Sequence, residues 1–309
     1  MASLRSIAVA CHPQIRAIEI KLSQGAKPGA GGIVPAAKVT QEISDIRGVP
    51  VGKDCISPSA YSAFDGTDAM LDLVEQIAEV TGLPVGFKSA VGQMDFWTEL
   101  ARLTATTGRA VDFVDVDGGE GGTGAAPLAF ADHVALPFKL GFSRVYRVFA
   151  EQQLDEHIVF IGSAKLGFPQ AAIFAFALGC DMIGVAREAM LAIGCIQAQR
   201  CHTGHCPTGV ATQNRWLMRG LDPASKADRL ANFFVTLRKE ILMLTRACGV
   251  PHPAHISEKH VEILDGRLGG ATLSELFGYA DGFGTPGQND LVAIENVMRG
   301  ENGENLVAK

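Results

Sequence analysis

The chain has 309 residues, of which 47% are apolar and 19% charged, and it carries a formal net charge of −6. That balance describes one large globular domain, or one with an appendage, and excludes a disordered chain. The acidic surplus counts against a nucleic-acid surface, and no apolar run reaches the roughly 18 residues of a membrane span.

The opening MASLRSIAVACHPQ has too short an apolar stretch for a secretory leader. Seven cysteines, three of them crowded between 195 and 206, fit a reducing compartment better than a disulfide framework. A cytoplasmic location is therefore expected. Ala17–Leu22 alternates apolar and polar residues and predicts a strand. It runs into the glycine-rich SQGAKPGAGG of 23–32. A short helix is expected over Val39–Ile46 and an extended piece at Ile56–Pro58. Met70, Leu71, Val74, Ile77 and Ala78 form one face of a helix over Thr67–Val80, with Gly82 as its stop. Pro84–Lys88 reads as a strand. Phe96, Trp97, Leu100 and Leu103 mark the next helix, with Gly108 beyond it.

Val111–Val116 is the third strand and ends in Asp117-Gly118-Gly119. A helix follows over Pro137–Gln153, then a strand at Ile158–Ile161 that runs into Gly162-Ser163. Pro169 opens a helix, a favoured position for proline, and Gly179 closes it. Asp181–Ala186 is the last strand, ending at Arg187. One more helix leads to the cysteine loop. Farther on, Leu230, Phe233, Phe234, Leu237, Ile241 and Leu244 place an amphipathic helix over Lys226–Ala247. Ser257 and Thr272 read as helix N-caps, and Thr272 with Glu275 makes a capping box.

Five strand–loop–helix repeats imply a parallel α/β sheet covered by helices. Gln24, Lys27, Lys88, Gly121–Gly124, Ser163 and Arg187 all follow strand ends, where a (β/α)8 barrel of the TIM type keeps its active site. A doubly wound sheet is the alternative, but it lacks a G-x-G-x-x-G after a first strand. A closed barrel needs about eight units, so the expected fold is an incomplete (β/α)8 barrel. Open edges of that kind invite self-association or a companion chain. The expected divisions are a partial barrel over 1–213 that includes the cysteine loop of 194–213, a helical extension over 214–287, and a polar tail over 288–309 that frays.

Gly118–Gly124, GGEGGTG, is too rich in glycine for a regular element and lets backbone N–H groups approach a flat ring or a phosphate. Gly162-Ser163 and Gly184–Arg187 follow the last two strands, where barrels often hold a phosphate. Lys88 ends an apolar strand, and a lysine there is seldom buried unpaired. Lys21, Gln24, Lys27 and Arg47 suit a small dicarboxylate. Cys195, Cys201 and Cys206 are spaced C-x5-C-x4-C with Pro207 after the last, as in iron–sulfur ligation. Zinc held by the cysteines with His202 or His205, and inert thiols, are the open alternatives. The other cysteines, Cys11, Cys55, Cys180 and Cys248, are scattered.

Three stretches occur in order between Glu19 and Gln213: KLSQGAKPGAGG, GGEGGTGAAPL, and GCIQAQRCH followed by CPTGVATQ. Together they resemble the FMN-binding synthase domain of glutamate synthase, and most of all its stand-alone members without a glutaminase domain. The resemblance implies FMN, bordered by Gly121, Gly122 and Thr123. Lys88 would face its pyrimidine, and Gly162, Ser163, Gly184 and Arg187 its phosphate. It implies a 3Fe-4S cluster on Cys195, Cys201 and Cys206. Lys21, Gln24, Lys27 and Arg47 would lie at the 2-oxoglutarate site, with Gln24 and Lys27 catalytic. The five units correspond to the family's strands four to eight.

The implied reaction is reductive amination of 2-oxoglutarate, or a similar keto acid, to glutamate. Electrons would come from a ferredoxin or a reductase subunit. No cysteine follows Met1, so ammonia is expected from solution or a partner. Two departures stand out: Ile33 replaces a family glutamine, and Ile161-Gly162-Ser163 replaces an acidic-Gly-Gly stretch. The alternatives are a non-catalytic or split-gene barrel fragment that needs a companion chain, and a zinc-stabilised fragment without a redox role.

Overall fold

The computed structural model describes residues 13–28, 32–56, 58–122, 124, 126–264, 266 and 269–299. The strands run β1 (Ile18–Lys21), β2 (Ile33–Val34), β3 (Cys55–Ile56), β4 (Val85–Ala90), β5 (Phe113–Asp117), β6 (Val159–Ser163) and β7 (Met182–Gly184). β1, β4, β5, β6 and β7 lie side by side in that order, all parallel, while β2 and β3 form a small antiparallel pair. Interleaved helices are α1 (Gln41–Arg47), α2 (Gly66–Thr81), α3 (Asp95–Thr107), α4 (Phe138–Ala150), α5 (Pro169–Ala177) and α6 (Arg187–Ala192). This is the expected α/β fold, an open piece of a (β/α)8-type barrel.

Side chains alternate between the two faces of a strand. One face carries Ile20, Phe87, Val114, Val116 and Phe160, and these pack with Met70 and Val74 of α2, Trp97 and Leu100 of α3, and Phe142 and Phe149 of α4. The Phe87–Trp97 and Phe149–Phe160 ring centroids are both 5.6 Å apart. Each such side chain contributes about 1.5–3 kcal/mol on burial. The helices stop where the sequence predicts: Gly82 and Gly108 take left-handed φ values of 66° and 71° at the ends of α2 and α3.

The other face is polar. Three rows cross it in register: Glu19, Gly86, Phe113 and Val159; then Lys21, Lys88, Asp115, Ile161 and Met182; then Ala90, Asp117, Ser163 and Gly184. At its β6–β7 side Val159 is 41% and Met182 56% exposed. Parallel sheets are normally covered on both faces, and here Phe113, Asp115, Asp117 and Ser163 of the second face are buried while its β6–β7 side is left open.

Beyond the cysteine loop come α7 (Arg215–Met218), α8 (Pro223–Ala247), the antiparallel hairpin β8 (Glu262–Leu264) with β9 (Gly270–Thr272), and α9 (Leu273–Phe277). Helix α8 packs on α5 and α6. The Thr272–Glu275 capping box forms, with the Thr272 N–H donating to Glu275 Oε2 at 2.8 Å. Ser257 begins only a three-residue 3₁₀ turn, Glu258–His260. The 214–287 segment is thus not purely helical.

The expected fraying of 288–309 fails over its first part. Gln288–Arg299 forms α10, with Leu291 and Ile294 half-buried, and residues 300–309 lie outside the described ones. Apolar residues at Leu291, Ile294 and Val297 give that helix a side that supports it despite its polar composition. Its Ile294 and Val297 line a groove of about 1230 Å³ together with Phe234 and Ile241 of α8.

Among the described residues nothing pairs with the outer edges of β1 and β7 in the main sheet, and free parallel edges pair with other chains. The chain on its own should therefore elute from size exclusion as oligomer or aggregate. Light scattering that gives a stable monomer mass would show that these edges are protected in another way.

Candidate active site

The polar rows converge on Lys88. Its Nζ lies 2.9 Å from Asp115 Oδ2, its partner in register, and 3.8 Å from Asp117 Oδ2. Asp115 and Asp117 are only 6% and 3% exposed. Burial alone would lower the Lys88 pKa, but Asp115, Asp117 and Glu19 outweigh it and raise it, so the ammonium stays charged. For Asp117 burial wins: it pushes the carboxyl up to about 6, against Lys88 and the Gly25 N–H. Burial, helped by Asp115, also raises Glu19. Asp115 Oδ1 is buried without a partner among the described residues.

The loop after β1 lies on the loop after β5. Gly25 N–H donates to Asp117 Oδ2 at 3.0 Å and Ala26 N–H to the Gly121 carbonyl at 2.8 Å. Glycine is required at this contact. A Cβ on Gly25 would sit 1.7 Å from the Gly118 carbonyl oxygen, and one on Gly122 would sit 1.9 Å from the Ala26 Cβ. Glu120, the acidic residue of GGEGGTG, turns away and accepts the Phe138 N–H at the start of α4 at 2.9 Å.

Lys21 Nζ donates to Gln24 Oε1 at 3.0 Å, and Lys27 N–H closes a turn onto the Gln24 carbonyl at 3.0 Å. Burial, together with Lys21, lowers the Lys27 pKa. Arg47 ends α1 exposed, and among the described residues no hydrogen bond or ion pair joins it to Lys21, Gln24 or Lys27. Ile33 is 58% exposed. Thr123 lies outside the described residues.

Ser163 and Gly184 are neighbours in register on the polar face, and a Cβ on Gly184 would fall 2.2 Å from Ser163 Oγ. Gly162 faces the other way, toward Cys180 and Phe138. Arg187 donates through Nη2 to the Gly122 carbonyl at 2.8 Å, which ties α6 to the glycine loop.

Cys195, Cys201 and Cys206 line one small recess. Among the described residues no three His, Cys, Asp or Glu side chains are grouped closely enough to hold one metal ion, whether zinc or a cluster iron. Burial and the two neighbouring thiols raise Cys201, with Lys38 opposing. Burial also acts to raise Cys206. The Thr208 hydroxyl and the N–H groups of Ala211, Thr208 and Val210 overcome it and bring the thiol down to about 7. Lys38 reaches into the loop and donates to the Cys201 and Ala211 carbonyls. A Cβ on Gly124 would stand 3.1 Å from Cys201 Sγ, so the glycine loop abuts the cysteine loop.

Sequence reading misses Asp115, Asp117, Glu19 and Lys38. The aspartates carried a signal in VDFVDVD, where period-2 alternation puts 113, 115 and 117 on one face. Lys38 carried none, since its partners lie far along the chain.

A parallel β/α sheet with a glycine loop, a lysine and three cysteines at the carboxyl ends of its strands defines the class. Residues 9–251 match the conserved region in glutamate synthase, and the chain belongs to that family. It is 39% identical over 248 residues to the glutamate synthase large subunit-like protein YerD of Bacillus subtilis, covering 80% of this chain and 47% of that one. It is 37% identical over 262 residues to an archaeal glutamate synthase (NADPH) of Methanocaldococcus jannaschii, covering 84% and 49%. Against the ferredoxin-dependent glutamate synthase of Pyropia yezoensis it is 34% identical over 236 residues, 75% of this chain and 15% of that one. The chain thus spans about half the length of the first two relatives.

Lys88→Met leaves two buried carboxylates without their cation. Breaking a buried pair in this way costs roughly 3–5 kcal/mol. The variant should lose about that much stability at pH 8 and less at pH 5, where Asp117 takes up a proton. Urea denaturation at both pH values measures it, and a deficit equal at both would mean that Lys88 is held by packing alone.

Proposed function

We propose that this chain forms the flavin-facing part of a glutamate synthase-type oxidoreductase. It would catalyse reductive amination of 2-oxoglutarate, or a similar keto acid, to glutamate, with FMN and a 3Fe-4S cluster as cofactors. One observation carries this reading: the β1 loop, the glycine loop, the start of α6 and the cysteine loop meet through the Gly25–Asp117, Ala26–Gly121, Arg187–Gly122 and Gly124–Cys201 contacts.

The residues fit FMN. A buried, unpartnered carboxylate oxygen on Asp115 and the ammonium of Lys88 lie beside backbone that has no room for a Cβ at Gly122. That combination suits a flat ring with hydrogen-bonding edges. When bound, FMN supplies the hydride. Gly121, Gly122 and Thr123 would border the ring. Lys88 would stabilise negative charge on it, and Gly162, Ser163, Gly184 and Arg187 would hold the phosphate. The shared recess and the near-neutral Cys206 thiol suit thiolate ligation of a cluster by Cys195, Cys201 and Cys206.

Lys21, Lys27 and Arg47 would bind the substrate carboxylates. Lys27, depressed in pKa, is the group to protonate the keto oxygen, and the Gln24 carbonyl holds its backbone in the turn. With Ile33 in place of a glutamine, the keto acid can differ from 2-oxoglutarate. The electron donor would be a ferredoxin or a reductase subunit, ammonia would come from solution or a partner, and the reaction would belong to ammonia assimilation in the cytoplasm. No described helix is long and apolar enough to cross a membrane. A second reading has its own support in the exposed Val159 and Met182 on the polar face: the flavin pocket is completed by another polypeptide, and this chain alone is inactive.

Serine at Cys195, Cys201 or Cys206 should each reduce iron in anaerobically purified protein sharply, while Cys11→Ser should not. Equal iron in all four variants removes the cluster from the proposal. Arg187→Ala should weaken FMN binding by about 10- to 100-fold, the worth of a charged hydrogen bond. Fluorescence titration of the flavin reads this out, and an unchanged Kd displaces the phosphate from Arg187.

A further inference from the structure

Asp117 joins two loops that lie far apart in sequence. Its Oδ2 accepts the Gly25 N–H across 92 residues of chain. The neighbouring contacts, Ala26 N–H to the Gly121 carbonyl and Gly25 against Gly118, are backbone on backbone. Among these contacts only the Asp117 one is made by a side chain, and only it can change charge. Gly25 sits inside the turn that Lys27 N–H closes onto the Gln24 carbonyl at 3.0 Å. Any shift of Gly25 is therefore passed to Gln24 and Lys27.

We propose that Asp117 is a positioning residue: as a carboxylate it latches Gly25 and so fixes where Gln24 and Lys27 stand relative to the Gly121–Gly122 backbone. The inference rests on Gln24 and Lys27 being the keto-acid groups.

An N–H bond to a carboxylate is stronger than one to a neutral oxygen, and here the charge is kept against burial. The groups that face Asp117 are Lys88 of β4, Asp115 of its own strand, Lys21 of β1, and Ser163 beside it on β6. Its folded pKa, about 6, lies above the ordinary 3.8. Such a group contributes stability below the unfolded value and loses it as pH rises through the folded one. Above pH 6 the ionised Asp117 is a burden on the fold. Asparagine has the same shape, can accept the same N–H bond and carries no charge. Stability and ligand positioning should therefore separate in Asp117→Asn.

The test uses the full chain, 2-oxoglutarate as the probe, and three readouts. At pH 8 Asp117→Asn should melt about 2–4 °C higher, the shift expected for roughly 1 kcal/mol in a large domain. The same variant should bind 2-oxoglutarate about 5- to 10-fold more weakly by calorimetry, the difference between a charge-assisted and a neutral bond. Hydrogen-exchange protection of the Gly25–Lys27 amides, measured without ligand, should fall in the variant at pH 8 and in the wild type between pH 7 and 5. Gly25→Ala keeps the charge but collides with Gly118, so it should lose the same protection and the same binding with a lower Tm. Unchanged binding and protection in Asp117→Asn overturn the proposal. So does a loss of binding accompanied by a lower Tm, which marks a structural role only. If neither wild type nor variant binds 2-oxoglutarate, the keto-acid reading fails. The protection data then decide the latch alone: reduced protection in Asp117→Asn supports it and equal protection overturns it.

Discussion

A single ammonium group, Lys88, holds two buried carboxylates on the polar face of a parallel sheet, and the arrangement at the strand ends depends on it. Isolated charges in such a place would neutralise or expel themselves. Register prevents this by setting Lys88 directly across from Asp115, with Asp117 one pleat further along. The balance is incomplete, because two carboxylates share one cation. Asp117 stays hard to ionise, and one oxygen of Asp115 is left unpaired. Polar groups left in that state are tolerated where function uses them, and they cost stability elsewhere.

The two faces of the sheet separate stability from chemistry. Ile20, Phe87, Val114, Val116 and Phe160 face the helices and supply the core, and none of them carries a reactive group. The opposite face holds the charges, the glycines that let loops touch, and two exposed apolar residues at its β6–β7 side. Gly86 shows how closely this face is fitted. A Cβ there would lie 2.5 Å from the Phe113 ring, so glycine in β4 makes room for an aromatic in β5. Val159 and Met182 find no such cover.

Most of the fold was legible in the sequence because it is local. Strand alternation, helical stripes and the stops at Gly82 and Gly108 all depend on neighbours within a turn or two, and each of the five units is where it was expected. The glycine loop was legible because no regular element accepts GGEGGTG. What sequence could not supply was register. VDFVDVD reads as an apolar strand until Lys88 is set opposite Asp115. Nor could the sequence show that Glu120, inside the glycine loop, caps α4, eighteen residues on. Arg47, grouped with Lys21 and Lys27 by its charge and by the family resemblance, ends an exposed helix and makes no hydrogen bond or ion pair to them among the described residues. The tail from Gln288 was judged on composition, although its apolar residues recur at helical spacing.

Position in the sheet explains why the central loop gathers the others. β5 is the middle of five strands, with two neighbours on either side, and is the strand least able to shift. β1 and β7 are edges, held from one side only, and edge elements open most easily. The loops after both edge strands are tied inward to the loop after β5, each by one side chain. Asp117 reaches from the centre to Gly25 beyond β1, and Arg187 reaches from beyond β7 to the Gly122 carbonyl. Both ties end at backbone rather than at another side chain. They therefore fix the path of the chain without occupying the side chains of Gln24, Lys27 or Ser163. A parallel sheet that lacks closure can hold a site to sub-ångström tolerance only in this way, by referring its loose edges to its rigid centre.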